Sequence, residues 1–300
     1  MSTIVTTAKA WPAALLRSCR PYQWPKNVLV FAAPGAAGVL DDRLVLLKTA
    51  LAFVSFCMAS SAVYLWNDLA DLDADRHHPV KRNRPIASGA LPVPLARTAA
   101  VLLVPACLIV GALTTEWRFV VVVAMYLVIS FTYSAWLKHV AILDLVIVAS
   151  GFLLRAVGGA LAVDVPVSEW FLIVFSFGSL FVVAGKRFSE LQEFGERAGA
   201  VRPSLDGYTL PYLRMVLGIS AAATAVAYCT FAFEKAALAG GGAVWYQLSA
   251  IPVVTALLRY ALVVEQGHGG APEDVFLYDR MLQVLMACFL VLFAIGVIVG

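Results

Sequence analysis

The chain of 300 residues is 61% apolar and only 14% charged, with a net charge of +3 and a mean hydropathy of +0.85. Soluble domains run near ~45–50% apolar and ~25% charged, so a single water-facing core cannot hide this excess and most of the surface must meet lipid. The five cysteines, Cys19, Cys57, Cys107, Cys229 and Cys288, are scattered without CxxC spacing, which argues against a disulfide framework and a zinc site. Residues 1–27 hold Lys9, Arg17 and Arg20 but no apolar stretch ending in a small-residue cleavage site. No removable signal peptide is expected.

In chain order, runs suited to crossing a bilayer, about 20 residues each, lie at 28–41, 45–66, 95–113, 118–137, 141–162, 169–186, 211–233, 244–264 and 280–299. The first is short and contains Pro34, Gly35 and Gly38. Backbone groups cannot stay unpaired in hydrocarbon, and no ten-residue alternation appears, so the spanning element is the helix. An all-α integral membrane protein with nine transmembrane helices follows. Seventeen Lys and Arg residues fall on one side, against Arg43, Lys48, Arg118 and Lys235 on the other, with Arg155 inside the fifth run. The basic side is cytoplasmic, which puts the N-terminal segment 1–27 inside and the C-terminus outside the plasma (inner) membrane. Loops 67–94, 187–210 and 265–279 are long and face the cytoplasm, so the chemistry is expected there. The first two open with charged residues four helices apart, in the manner of a distant internal duplication.

The most informative stretch holds Tyr64, Asn67, Asp68, Asp71, Asp73 and Asp75, followed by Lys81, Arg82 and Arg84. At about 100° per residue, Tyr64, Asp68, Asp71 and Asp75 share one face some 60° wide, and Asp73 points away. Carboxylates crowded on one face repel one another unless a cation neutralises them, and hard oxygen ligands suit Mg²⁺ bound together with substrate phosphates. The competing reading is a solvated acidic helix end. Lys81 and the two arginines complement the excess charge of a metal diphosphate, or else merely mark the cytoplasmic side.

This pattern, Asn67-Asp68-x-x-Asp71-x-x-x-Asp75 followed by Lys81 and Arg84-Pro85-Ile86-Ala87-Ser88-Gly89, resembles the UbiA superfamily of membrane prenyltransferases. The resemblance covers nearly the whole chain. It implies a nine-helix bundle around a cytoplasm-facing cavity, forming a single catalytic domain over 1–300, with Mg²⁺ on Asn67, Asp68, Asp71 and Asp75. Tyr133 and Lys138 look like the segment that ends the family's fourth helix. Where prenyltransferases carry a second aspartate-rich motif, this chain reads Gly185-Lys186-Arg187-Phe188-Ser189-Glu190-Leu191-Gln192-Glu193. Fewer acids and more cations suit a donor with more phosphate, such as phosphoribosyl diphosphate. Together with the opening Arg20-Pro21-x-Gln23-Trp24-x-Lys26-Asn27-Val28 and with Arg155-x-x-Gly158-Gly159, the run looks like the actinobacterial branch of the superfamily in which polyprenyl (decaprenyl) phosphate is the acceptor.

The resemblance then implies an Mg²⁺-dependent transfer of 5-phosphoribosyl to that lipid phosphate, with release of diphosphate, in arabinan precursor synthesis for the cell wall. Asp68, Asp71, Asp75 and Lys81 would be catalytic. The donor phosphates would meet Lys26, Tyr64, Asn67, Lys81, Arg84, Lys186, Arg187 and Glu190, and the lipid phosphate Tyr133, Lys138 and Arg155. Lys186, Glu190, Glu193 and Arg197 otherwise read as a salt-bridged helix face. Arg155, a costly intramembrane charge, otherwise reads as a partner for Asp144. No nucleic acid partner is expected, and a homo-oligomer is left open. Two rivals stand beside this reading: a conventional prenyl transfer to an aromatic acceptor, and a transporter or lipid-binding protein without catalysis.

Overall fold

The computed structural model describes residues 11–300; residues 1–10, Lys9 among them, lie outside the described residues. Every regular element described is a helix. In chain order they are α1 (Trp11–Ser18), a 3-10 helix (Pro21–Phe31), α2 (Ala32–Ala36), α3 (Arg43–Ala70), α4 (Leu72–His77), α5 (Val93–Ala112), α6 (Trp117–Ala135), α7 (Leu143–Ala162), α8 (Glu169–Phe194), α9 (Ala198–Val201), α10 (Leu210–Leu238), α11 (Ala243–Glu265), α12 (Pro272–Tyr278) and α13 (Arg280–Val299). Eight of them, α3, α5, α6, α7, α8, α10, α11 and α13, are long and apolar enough to cross a membrane. The chain is a multi-pass integral membrane protein. Its large exposed side chains, such as Leu102, Ile109, Val128, Leu258 and Val284, need lipid as their solvent.

Eight of the nine sequence runs become these helices, and the first does not form a long one. Its residues wind as the 3-10 helix and then the five-residue α2, after which the chain turns through Gly38 at φ 71°. Pro25 and Pro34 each lack the N–H that a continuous α-helix would use. The 3-10 helix turns every 3.0 residues, so Pro21, Trp24, Asn27 and Val30 line one stripe. Trp24 donates to Ser61 Oγ (3.2 Å), and Asn27 and Val30 are buried. A second departure concerns loop 187–210, because α8 runs on to Phe194. Lys186, Arg187 and Glu190 therefore sit on a helix end rather than in a loop.

The described residues form two compact units, the first comprising 11–34, 40–135 and 154–165, the second 35–39, 136–153 and 166–300. In the first, α3 packs chiefly on α5, and also on α6 and the 3-10 helix. Phe56, Phe119 and Tyr126 meet edge to face in its core. Ser55 Oγ donates to the carbonyl of Cys107 (2.8 Å), a polar tie between apolar helices. Gly158 and Gly159 explain the glycine pair after Arg155. A Cβ on Gly159 would stand 1.8 Å from the carbonyl oxygen of Val30, and one on Gly158 2.8 Å from the Phe56 ring. Gly159→Ala should therefore destabilise by about 1–3 kcal/mol or more through overpacking. A lower thermal midpoint in detergent would report it, and an unchanged midpoint would mean that the 3-10 helix can simply move off.

In the second unit α10 packs against α8 and α11, and α11 against α13. Phe181, Phe188, Leu213 and Tyr260 fill its core. The Tyr228 and Ser249 hydroxyls tie α10 to α11 at 2.7 Å. Short polar caps start its helices: Ser168 accepts from Phe171 N–H, Thr209 from Tyr212 N–H, and Asp279 from Leu282 N–H.

Candidate active site

In the first unit α3 ends at Ala70 and α4 starts at Leu72, but the i to i−4 backbone bonds continue across the junction, from Asp71 N–H to Asn67 and from Asp75 N–H to Asp71. The periodicity therefore survives. Asp68 and Asp75 are buried on a common side, and one nitrogen of Arg84 bridges them, at 3.1 Å to Asp68 Oδ1 and 2.7 Å to Asp75 Oδ2. Arg84 is brought there by the turn through Pro85, where its own N–H donates to the carbonyl of Lys81. Asp73 points outward, its side chain 93% exposed beside Arg76.

A second cation reaches the same carboxylate. Arg20, at the start of the 3-10 helix, donates from Nη2 to Asp68 Oδ1 at 2.6 Å and lies over the Tyr64 ring at 5.0 Å. Its backbone is left-handed, φ 52° and ψ 62°, an uncommon state for a residue with a Cβ that surrounding contacts must hold. Next to Asp68, Asn67 Oδ1 is buried and accepts no hydrogen bond among the described residues. A buried carbonyl oxygen without a donor is costly, and a hard cation would satisfy it. No three His, Cys, Asp or Glu side chains among the described residues stand close enough to enclose a metal by themselves. A metal there would have to draw on one or two of these carboxylates and on phosphate oxygens, as magnesium does. The donor set fits.

The other expected donor residues are disposed as follows. Lys26 donates to Gln23 Oε1 within the 3-10 helix, and Lys81 is half-buried in a short 3-10 turn (Lys81–Asn83) whose amides at Val80 and Lys81 cap onto His78 Nδ1. Tyr133 is half-buried on α6, and Lys138 half-buried in the 3-10 turn Leu137–His139. Arg155 is buried, with Nε donating to Asn27 Oδ1 (2.6 Å) and Nη2 to the Tyr126 hydroxyl (3.0 Å). Its guanidinium also lies over the Tyr126 and Phe56 rings at 4.8 and 5.8 Å. Asn27 completes the group by donating to Cys57 Sγ at 3.2 Å. The alternative partner for Arg155, Asp144, is engaged elsewhere.

Asp144 is fully buried in the second unit and takes Arg187 in two-pronged fashion, Nε to Oδ2 at 2.6 Å and Nη2 to Oδ1 at 3.0 Å. The remaining arm of Arg187 donates to Glu190 (3.0 Å), and Arg202 closes the group at 3.5 Å to Asp144 and 3.4 Å to Glu190. Arg187, expected on the donor, thus turns inward onto carboxylates of its own unit, because a buried charge is tolerated only when fully paired. Lys186 beside it is half-buried. The turn ahead of Asp144 is also fastened: Ile142, a β-branched residue at φ 70°, donates its N–H to the Tyr208 hydroxyl at 2.6 Å. Burial pushes that hydroxyl above the usual phenol range, so it stays protonated. Arg20, Arg202, Asn27, Tyr126 and Asp144 were not assigned site roles from sequence. Their partners lie 12 to 128 residues away, beyond the reach of helix spacing rules.

The sequence model of the UbiA prenyltransferase family matches residues 28–298. A decaprenyl-phosphate phosphoribosyltransferase of Mycolicibacterium smegmatis is 45% identical over 289 residues, covering 93% of this chain and 90% of that protein. One from Mycobacterium tuberculosis is 47% identical over 278 residues, covering 91% and 90%. Among solved structures, a UbiA homolog from Archaeoglobus fulgidus bound to DMAPP and Mg2+ aligns with a TM-score of 0.71 at 19% identity, covering 95% of this chain and 98% of that one. At that identity the likeness is one of fold.

Proposed function

The chain belongs to the UbiA prenyltransferase family, and from that premise we propose that it transfers 5-phosphoribosyl from phosphoribosyl diphosphate to decaprenyl (polyprenyl) phosphate. The bond from ribose C1 to the diphosphate oxygen breaks, a bond from C1 to the lipid phosphate oxygen forms, and diphosphate leaves. The observation that carries this over prenyl transfer is the second unit. There Asp144 and Glu190 are tied to Arg187 and Arg202, so these acids are engaged by arginine where a second metal would need carboxylates. Relatives at 45% and 47% identity that bear this activity in their names support the same choice.

Magnesium, held by Asn67 and by one or two of the carboxylates of Asp68, Asp71 and Asp75 at a time, would stabilise charge on the departing diphosphate. In the first unit Lys26, Tyr64, Lys81 and Arg84 bind and orient the donor phosphates, and Lys186 is the phosphate contact proposed for the second, where Arg187 and Glu190 pair with each other. Tyr133, Lys138 and Arg155 receive the lipid phosphate. That acceptor is an anion at neutral pH and needs no general base, and attack opposite the leaving group inverts C1. The whole chain acts as one catalytic domain in the plasma membrane, with loops 67–94 and 187–210 in the cytoplasm. The 3-10 helix and α2 together rise about 30 Å, at ~2.0 and ~1.5 Å per residue, enough for a ninth crossing. With a ninth crossing there the N-terminus would lie inside and the C-terminus outside, as the excess of Lys and Arg on one side favours, and the product feeds cell-wall arabinan synthesis.

Purified protein should release diphosphate from phosphoribosyl diphosphate only when decaprenyl phosphate and Mg²⁺ are present. Lys186→Ala should raise the donor KM about 10- to 100-fold, the range for a lost charged hydrogen bond. Turnover with a prenyl diphosphate and an aromatic acceptor, and none with the ribosyl donor, would replace this reading with ordinary prenyl transfer.

A further inference from the structure

We propose that Arg20 and Arg84 are resident counter-ions that yield the carboxylates of Asp68 and Asp75 to an incoming metal and take its diphosphate in exchange, so that metal and donor bind together. The inference rests on the reading of this helix end as a metal–diphosphate site. It does not depend on what group the diphosphate carries. Two carboxylates and two guanidinium groups meet there, with Arg20 on Asp68 and Arg84 on both acids. Their charges cancel. A bare divalent cation therefore meets no net charge from these four groups, and Asp68 Oδ1 and Asp75 Oδ2, two of the oxygens it would seek, already accept hydrogen bonds. A metal diphosphate differs because it brings more negative charge than positive, and guanidinium pairs with phosphate oxygens in a fork of two bonds.

The side chains differ in the way such an exchange requires. Asp68 and Asp75 are each only 3% exposed, whereas Arg20 is 21% and Arg84 29% exposed. Each arginine commits a single nitrogen to the acids in the bonds described, which leaves its other N–H groups for phosphate. The carboxylates stay and the arginines move. Arg187 is the counterexample within the same protein, since its side chain is 3% exposed and all three of its nitrogens donate to acids. That pair is a fixture, and the pair in the first unit is a placeholder.

The test uses Mn²⁺ as the probe, its binding to purified full-length protein followed by electron paramagnetic resonance, alone and with inorganic diphosphate. Wild type should bind bare Mn²⁺ weakly and tighten at least about tenfold when diphosphate is added, as expected for a charge cancelled or released near a divalent ion. Arg84→Gln should bind bare Mn²⁺ at least about tenfold tighter than wild type and lose most of the gain from diphosphate. Arg20→Gln, on a different segment, should do the same and carries the test if Arg84→Gln does not purify as a monodisperse protein. Asp73→Asn should behave as wild type. The exchange is overturned if wild type binds bare Mn²⁺ as tightly as with diphosphate, or if both variants bind it no better than wild type. Should diphosphate couple to the metal while phosphoribosyl diphosphate does not bind, the ribosyl donor fails and the exchange stands.

Discussion

Asp144→Ala should lower the unfolding free energy by about 3–5 kcal/mol, the cost of removing one partner from a buried ion pair. Asp144 is fully buried and Arg187 nearly so, so the substitution leaves the guanidinium without its two-pronged partner, though still bonded to Glu190. The effect would appear as a lower midpoint in detergent thermal or denaturant unfolding. Replacing both members with apolar residues, Asp144→Leu with Arg187→Met, should recover much of that stability, because an apolar pair of similar volume is often neutral. Activity need not return with it, since the start of α7 and the end of α8 would lose their common anchor. A loss under about 1 kcal/mol for Asp144→Ala would show that water or another carboxylate fills the gap. The same geometry separates two neighbours: Lys186→Ala should act on donor KM, and Arg187→Ala on the fold.

Asp68→Asn and Asp71→Asn are expected to cut kcat/KM by at least about 10²–10³-fold, the scale of losing one strong electrostatic contact to the reacting charge. Asp73→Asn should stay within a factor of about two, as for an exposed substitution. The three residues lie within six positions of one another, so any general effect of removing acid from this segment would hit them alike. Face is what distinguishes them. Asp68 is buried under Arg20 and Arg84, Asp71 sits half-buried at the α3–α4 junction, and Asp73 projects outward. Equal losses from all three, measured as diphosphate release at saturating Mg²⁺, would undo the argument.

Eight crossing helices were legible because lipid dictates their length, and their ends fell within a few residues of the apolar runs except where α3, α8 and α10 continue past the hydrocarbon. The first run was misread in form, since hydropathy says nothing about turns of 3.0 rather than 3.6 residues, and the prolines that signal it read equally well as a break. The acidic face was legible from spacing alone, and Asp73 turned outward as that spacing required. Partners were not. Pairing Arg155 with Asp144 overlooked that eleven residues on one helix separate them by about 16 Å. The true partners of Arg155, Asn27 and Tyr126, come from other elements. Likewise a cation-rich helix end could be read as a donor clamp, and only the fold shows Arg187 turned inward on Asp144.

The two ion clusters also differ in the order in which their members leave the ribosome. Arg20 precedes Asp68 by 48 residues and Arg84 follows it by 16, so Asp68 has a counter-ion already synthesised when it emerges. Asp144 is made first of its group, with Arg187 coming 43 residues later and Arg202 58 later. At ~5–20 residues per second this leaves an acid at a bilayer edge for roughly 2–9 s before any member of its final set exists. The start of α7 therefore cannot settle until α8 has been threaded, whereas the first unit can neutralise Asp68 while it is still being made.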